Sequence, residues 1–323
     1  MKDFCILGAG IAGSTIANLL SKKYEVEVFD KARGVGGRSS NRRYKKKLSF
    51  DHGAQYISPN SKKFLKFLFE LEKNKVVKKW NGNHLNFSFK NKNQKLKFIG
   101  KKGNSDISKY LLRNVKTYTS SAIIKIYYND KFWTIFLDNK KKFEFKRLII
   151  TSPFPQTKIL AKKYLNKKKF NIKVKMEPNI TVMIVLKNSM EVPISSILFK
   201  DQILGWAANE NSKNRFKSKN NLWTLQANTT WSKKFINNYK LKKKFITNLI
   251  INRFCNLTGF KKKQIVFKDI HGWKYSYNSA KTKNKSYFDK RNKLGVCGDW
   301  MSGARIEDAW ISANNLFKKL KNS

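Results

Sequence analysis

The stretch FCILGAGIAGSTIANLLSKKYEVEVFD, residues 4–30, decides the fold. A short apolar run, 4–7, leads into the glycine turn GAGIAG, 8–13, and apolar residues then recur at helical spacing. A second apolar run, 26–29, ends at an aspartate, Asp30. This order predicts a strand, a tight turn, a helix and a second strand within about thirty residues, which is the arrangement of a βαβ unit.

The glycines of this turn have separate physical roles in the predicted unit. Gly8 allows the tight turn, Gly10 lets a pyrophosphate approach the backbone, and Gly13 lets the helix pack on the strand. The first helical turn, with Ile11 and Ala12, offers free N–H groups to a phosphate. We therefore expect a dinucleotide at this turn.

The next segment distinguishes one dinucleotide from another. Asp30 stands twenty residues after Gly10, where a carboxylate accepts hydrogen bonds from the hydroxyls of an adenosine ribose. A second glycine turn, RGVGGR at 33–38, follows at once. An NAD-binding unit needs no such turn, whereas FAD is extended and gains a second backbone approach to its pyrophosphate and ribitol. The candidate contacts in this segment are Asp30, Lys31, Arg33, Gly36, Gly37 and Arg38.

Near the other end of the chain, LGVCGDW at 294–300 predicts a buried strand that ends in Gly298 and Asp299. Asp299 can accept a hydrogen bond from a ribitol hydroxyl. The helix beyond it, which carries Arg305 and Glu307, can face the edge of a flavin where negative charge develops on reduction. A simpler interpretation is that Glu307 and its acidic neighbour only complement the helix dipole.

The composition first suggests a different function. The 323 residues include 70 Lys+Arg against 20 Asp+Glu, a net charge of +50, which suggests a nucleic-acid or anionic-membrane partner. Lysine is spread through the whole chain, however, whereas nucleic-acid binders concentrate charge on one face. Four of the ten arginines fall within 33–43, against this lysine background. Since arginine makes planar, bidentate phosphate contacts, this exception is more informative than the total.

Other counts exclude further classes. The 41% hydrophobic content excludes a basic disordered tail, and 16 Gly, 5 Pro and 3 Cys exclude collagen, coiled-coil and disulfide scaffolds. The Cys and His spacings predict no metal site. The chain has no apolar run long enough for a membrane span and enters a strand at once, without room for a signal peptide. A cytoplasmic protein with no membrane partner is expected.

In this order, the segments resemble the flavin-containing amine oxidase superfamily, and most closely its renalase-like branch. The resemblance is carried by GAGIAGSTIANLL (8–20), EVFDKARGVGGRSSNRR (27–43), DHGAQY (51–56), WAANENSKNR (206–215), HGWKYSY (271–277) and GVCGDWMSGARIEDAWISANNL (295–316). It implies an α/β fold in which a Rossmann-like FAD-binding domain receives an inserted substrate domain built on a mixed or antiparallel sheet. The predicted FAD-binding domain comprises 1–60, 99–160 and 290–323, and the substrate domain comprises 61–98 and 161–289.

The resemblance also implies an activity. In such families, FAD takes a hydride at N5 and is reoxidised by O₂ to give H₂O₂, and renalase-like enzymes oxidise dihydronicotinamide isomers of NAD(P)H. We expect this FAD to be bound non-covalently, because no Cys or His lies in a stretch that matches a flavin attachment site. The chain departs from the family at Gly272 and Lys274, where arginine is usual, which weakens the inference of a nucleotide substrate. An amine oxidase, a desaturase-like flavoenzyme, a protein that binds FAD without turnover and a basic nucleic-acid-binding module remain alternatives. The oligomeric state is not predicted.

Candidate pocket residues lie in the matched C-terminal segments. His271 is a candidate acid or base, or else a hydrogen-bonded structural histidine. Trp273 and Tyr275 offer flat walls that can stack a dihydropyridine or enclose an amine. Four more tryptophans are expected to join this lining: Trp206, Trp223, Trp231 and Trp300.

Overall fold

The strand–turn–helix–strand predicted for residues 4–30 begins a parallel sheet. We describe a computed structural model, which covers residues 1–45, 48–86, 95–166, 170–187, 193–280, 282 and 284–322. The helices are α1 (Ile11–Leu20), α2 (Lys62–Lys73), α3 (Asp106–Leu111), α4 (Phe154–Ala161), α5 (Thr229–Phe235), α6 (Lys243–Thr258) and α7 (Ile306–Lys321).

The strands fall into two large sheets and two short pairs. In chain order they are β1 (Lys2–Leu7), β2 (Val26–Phe29), β3 (Asn41–Lys45), β4 (Leu48–Asp51), β5 (Val77–Lys79), β6 (Asn83–Leu85), β7 (Phe98–Gly100), β8 (Lys116–Tyr118), β9 (Ile123–Tyr128), β10 (Trp133–Leu137), β11 (Lys142–Ile150), β12 (Met176–Leu186), β13 (Ile194–Leu198), β14 (Leu204–Asn209), β15 (Asn221–Ala227), β16 (Ile265–Asn278), β17 (Tyr287–Asp289) and β18 (Leu294–Val296).

The first sheet has the order β17-β18-β11-β1-β2-β8, and its central strands β18, β11, β1, β2 and β8 are parallel. Strand β1 is paired on both sides, so that Cys5 lies between Leu148 of β11 and Glu27 of β2. Apolar residues of α1, α2, α3 and α7 cover one face, while the β9–β10 extension and α4 contribute to the core on the other. This is the predicted Rossmann-like fold, with the carboxyl ends of β1 and β2 at one edge, where ligands bind in such sheets.

The second sheet has the order β16-β12-β15-β14-β13-β6. Its neighbours are antiparallel except for β13 and β6, so the predicted mixed sheet is confirmed. Helix α6 packs Ile250 and Phe254 into its core, against Trp223.

Two elements differ from the predicted domain assignment. Helix α2 packs Phe64, Leu68 and Leu71 into the core of the first sheet, and β17 pairs with β18 of that sheet. In the described part of the chain, no helix combines the length and the apolar character of a membrane span.

Candidate functional site

A cavity of about 1780 Å³ runs from the glycine turns of the first sheet to strand β16 of the second. Pockets for one small molecule have volumes of roughly 300–1,000 Å³, so this cavity has room for more than one ligand group. Except for Gly13, the predicted cofactor contacts and the three pocket candidates of 271–275 all line it: Gly8, Gly10, Ile11, Ala12, Asp30, Lys31, Arg33, Gly36, Gly37, Arg38, His271, Trp273, Tyr275, Gly298, Asp299, Arg305 and Glu307.

In the first glycine turn, the fold leaves no room for a side chain at Gly8 and Gly13, whereas the space beside Gly10 is open. Gly8 has a φ of +107°, and a Cβ there would lie 2.5 Å from Thr151 Oγ1. A Cβ on Gly13 would lie 1.8 Å from the Gly8 carbonyl oxygen, since α1 packs directly on the turn. A Cβ on Gly10 would meet no atom closer than Gly37 Cα at 4.0 Å. Gly10 therefore leaves open space that a ligand can occupy.

The second glycine turn meets the first. Gly10 and Gly36 form a parallel β-bridge, and Gly36 N donates a hydrogen bond to the Ala9 carbonyl at 2.9 Å. Gly36 and Gly37 have φ values of +113° and +52°, a region that favours glycine. The two turns thus form one continuous backbone surface at this end of the cavity.

Asp30 connects the two turns. Its Oδ2 accepts from Ala9 N at 2.7 Å and its Oδ1 from Ala32 N at 2.8 Å. A carboxylate offers about four acceptor positions, so each oxygen can still accept from a ligand hydroxyl. Helix α1 begins at Gly10 without a side-chain cap, which leaves its first N–H groups available to an anion.

Arg38 and Asp299 form a bidentate ion pair across the cavity wall. Arg38 Nη1 lies 2.8 Å from Asp299 Oδ2, and Nη2 lies 2.5 Å from Oδ1. Arg38 also donates to the Ser276 carbonyl on β16 at 3.0 Å. This pair joins the second glycine turn, the end of the first sheet and the second sheet at one point.

Glu307 is engaged with the start of α2. Its carboxylate accepts from Asn60 N at 2.7 Å and from Ser61 N at 2.9 Å, and it is 3% exposed. The interpretation in which both acids only complement the dipole of their own helix is therefore wrong for Glu307. It does describe Asp308, which accepts from the N–H groups of Ala304 and Arg305 at the start of α7.

The cavity wall formed by β16 includes His271, Trp273 and Tyr275, and His52 lies beside them. The His52 and His271 ring centroids are 4.9 Å apart, and Trp273 Nε1 donates to the His52 carbonyl at 2.8 Å. Burial, with a further contribution from neighbouring positive charge, lowers the pKa of His52 to about 3 and that of His271 to about 4. Both rings are therefore neutral near pH 7, so each can donate and accept hydrogen bonds without carrying charge.

His52 is a cavity residue that sequence reasoning missed, although it lies in the DHGAQY segment. Its Nδ1 is buried and has no hydrogen-bond partner among the described residues. Three of the predicted lining tryptophans are placed incorrectly: Trp223, Trp231 and Trp300 are buried in hydrophobic clusters and are absent from the described cavity wall. Trp300 Nε1 instead donates to the Ser152 carbonyl at 3.0 Å. Trp206 does line the cavity, as predicted.

A buried ionic cluster supports the cavity wall from behind. Lys213 Nζ lies 2.8 Å from Asp51 Oδ2 and 3.0 Å from Glu210 Oε2, and Arg215 Nη1 lies 2.5 Å from Asp51 Oδ2. Burial would raise the pKa of Asp51, but the two cations lower it overall, whereas burial raises the pKa of Glu210. The cluster fixes residues 51–56, which contribute to the cavity wall. Sequence reasoning missed it because lysine was treated as background.

The charged lining residues are mostly cationic. They are Lys31, Arg33, Arg38, Arg42, Arg43, Lys95, Lys97, Lys109, Lys274 and Arg305 against Asp30, Asp299 and Glu307. Each of these three carboxylates already accepts hydrogen bonds from the chain. Among the described residues, no three His, Cys, Asp or Glu side chains are grouped to hold a metal ion.

The chain is similar to several known proteins. A family model described as an NAD(P)-binding Rossmann-like domain matches residues 6–71. Renalase from Mus musculus is 28% identical over 167 residues, a match that covers 48% of this chain and 48% of that protein, so the chain spans about half the length of this curated relative.

Solved structures share the fold at low sequence identity. A putative protoporphyrinogen oxidase from Exiguobacterium sp. 255-15 has a TM-score of 0.75 at 9% identity, over 99% of both chains. Putrescine oxidase bound to putrescine has a TM-score of 0.69 at 10% identity, over 99% of this chain and 98% of that one. The likeness to these structures confirms the predicted fold, and the match to renalase agrees with the predicted resemblance to the renalase-like branch.

Proposed function

We propose that this protein is an FAD-dependent oxidoreductase of the amine-oxidase/renalase type. It transfers a hydride from a small substrate, preferentially a dihydronicotinamide isomer of NAD(P)H, to N5 of the flavin, and O₂ reoxidises the flavin to give H₂O₂. The observation that carries the proposal is the Gly10–Gly36 bridge, because it joins both glycine turns at one end of a cavity that reaches the rings of β16.

The residues around the glycine turns fit a flavin dinucleotide. The open space beside Gly10 and the uncapped start of α1 suit a pyrophosphate, and the spare acceptor positions of Asp30 suit a ribose. Arg38 and Asp299 would position the ribitol side. We propose non-covalent binding, because no Cys or His lies in a stretch of the sequence that matches a flavin attachment site.

Bound FAD would supply the hydride acceptor, so the chain needs no nucleophile of its own. The residues of β16 have the task of binding and orienting the substrate. Trp273 and Tyr275 give flat apolar surfaces against which a planar ring packs. The neutral rings of His52 and His271 can hold a polar substituent by hydrogen bonds without adding charge next to the reacting ring.

The alternatives have less support. A cationic amine would meet a mostly cationic wall whose carboxylates are engaged, and a desaturase-like reaction has no specific observation in its favour. A nucleic-acid-binding module would present its arginines on an outer face, whereas four of the ten lie between 33 and 43 and line the cavity. We further propose a cytoplasmic location, which the free, buried Cys5, Cys255 and Cys297 support.

An absorbance spectrum of the purified protein, followed by anaerobic titration, tests the proposal. We expect bound flavin, released on denaturation, and loss of its visible band with dihydronicotinamide isomers but not with amines. Asp30→Ala should lose the flavin, while Asp138→Ala, which removes an exposed carboxylate outside the cavity wall, should keep it. A colourless protein that binds DNA with a steep salt dependence would contradict the proposal.

A further inference from the structure

We propose that the cavity contains an anion-binding subsite formed by Lys97, Tyr56 and Trp206, which takes the negatively charged part of a substrate that also carries a planar ring. The inference rests on the proposed function, because it names the substrate class of the same cavity. It favours an anionic substrate over the amines that other members of the superfamily oxidise.

The three residues lie together on the cavity wall. Lys97 directly precedes β7, and its Nζ lies 5.6 Å from the centre of the Tyr56 ring. The Tyr56 and Trp206 ring centroids are 5.8 Å apart, and Trp80 supports the Tyr56 ring from 6.2 Å. Tyr56 and Trp206 both line the cavity, whereas Trp80 does not. The subsite therefore presents two flat aromatic surfaces and one ammonium group.

The ammonium group of Lys97 has no carboxylate within 4.0 Å among the described residues. Residues 87–94, which precede it in the chain, contain no Asp or Glu. Burial lowers the pKa of Lys97. Lys213 provides the contrast, since it is fully buried and has two carboxylates within 3.0 Å. A partly buried ammonium group without a counter-ion is costly, and an anionic ligand would reduce that cost.

The remaining charges of the wall lead to the same preference. Asp30 accepts from two backbone N–H groups, Asp299 is paired with Arg38, and Glu307 accepts from the N–H groups of Asn60 and Ser61. On the described wall, a cationic substrate would thus meet only carboxylates that already accept hydrogen bonds from the chain, and it would be repelled by the more numerous cations. An anionic substrate would find Lys97. The cavity therefore discriminates by repulsion of one class as well as by attraction of the other.

Two matched pairs of ligands test the subsite in the protein as purified. Nicotinamide mononucleotide carries a phosphate that nicotinamide riboside lacks. Nicotinate carries a carboxylate where nicotinamide carries a neutral carboxamide. We expect the wild type to bind the anionic member of at least one pair about tenfold more tightly by calorimetry, a difference of about 1.4 kcal/mol. Lys97→Gln should abolish this preference and Lys97→Arg should keep most of it. Lys101→Gln, which removes an exposed lysine outside the cavity wall, is the control and should not change it.

Equal binding within both pairs, or a preference that persists in Lys97→Gln, would overturn the inference. Calorimetry does not depend on flavin reduction, so this result is separate from the test of the proposed function. A flavin that no dihydronicotinamide reduces would contradict that function while a Lys97-dependent anion preference still supported the subsite. In the opposite case, a reducible flavin with no anion preference would leave the proposed function intact and remove the subsite.

Discussion

Replacing Gly10 by valine should separate dinucleotide binding from folding. A Cβ at this position meets no atom closer than 4.0 Å, and the φ of −75° is open to any residue. Losing glycine at the start of α1 costs up to about 1 kcal/mol, and the reduced freedom of the unfolded chain returns about 0.4–1 kcal/mol. The free energy of unfolding of the flavin-free protein should therefore change by less than about 1 kcal/mol. The valine side chain would nevertheless occupy the space that we assign to the pyrophosphate.

Gly13→Ala is the matched comparison, because it adds one methyl group three residues later. That Cβ would lie 1.8 Å from the Gly8 carbonyl oxygen, a backbone atom that can move only with the whole turn. Forcing such a contact costs about 1–3 kcal/mol or more. Gly13→Ala should thus lose flavin because the turn is destabilised, whereas Gly10→Val should lose flavin with the turn intact.

The assay has two parts. The ratio of flavin to protein after desalting reports binding, and urea unfolding of the flavin-free proteins reports stability. Both parts are needed, since a bound ligand itself raises the apparent stability. A fully loaded, yellow Gly10→Val protein would refute the role given to this turn. Unfolding of Gly10→Val at as little urea as Gly13→Ala would refute the open space beside Gly10.

Three further predictions concern the supporting contacts. Asp299→Asn should weaken flavin binding and lower the free energy of unfolding by about 1.5–3 kcal/mol, because it breaks a charged bidentate pair with Arg38. Flavin titration measures the first effect and denaturation measures the second. Lys213→Met should lower the free energy of unfolding by about 3–5 kcal/mol in urea, because it leaves two buried carboxylates, Asp51 and Glu210, beside a single cation, Arg215. Adding Glu210→Gln should recover part of this loss; no recovery would mean that Glu210 is already neutral beside Lys213. Burial lowers the pKa of His52 from 6.5 to about 3, so between these pH values the unfolded chain binds a proton that the native ring does not. The contribution of His52 to the free energy of unfolding should therefore be fully present above pH 6.5 and be lost as the pH falls toward 3. Thermal unfolding at stepped pH should show a shallower fall in His52→Leu.

The fold was predictable where the chain obeys local rules. The predicted strand 26–29 is β2 itself, and the helix predicted beyond Asp299 is α7, Ile306–Lys321. The sequence between 116 and 147 has strand-like stretches separated by polar turns and predicts an antiparallel meander. This prediction is correct for β9, β10 and β11, but β8 pairs in parallel with β2. The pairing of β8 was not predicted because the sequence of a short strand does not indicate which distant strand it pairs with.

The site was predictable where residues depart from the lysine background. The arginines of 33–43 were identified in this way, and the same reasoning could have found the Asp51 cluster, since Glu210 and Arg215 are scarce types that fall together near Lys213. Trp300 was misplaced because a tryptophan after a buried strand has the same sequence pattern in a core and in a pocket wall. The sequence alone does not distinguish Lys97 from the other lysines. The feature that sets it apart, the lack of a carboxylate near its ammonium group among the described residues, is visible only in the structure.

The pairing of Arg38 with Asp299 has a consequence for how the protein is made. The two residues are 261 positions apart, and β18 and α7, which complete the first sheet and cover α1, also come from the last thirty residues. A chain emerging from the ribosome can build β1, α1 and β2 early, but this end of the cavity closes only after β18 and α7 have also emerged. We therefore expect a dinucleotide to be captured only after these later elements have folded. Ribosome-bound chains stalled at residue 290 should retain no flavin, while released chains that include residues 291–323 should.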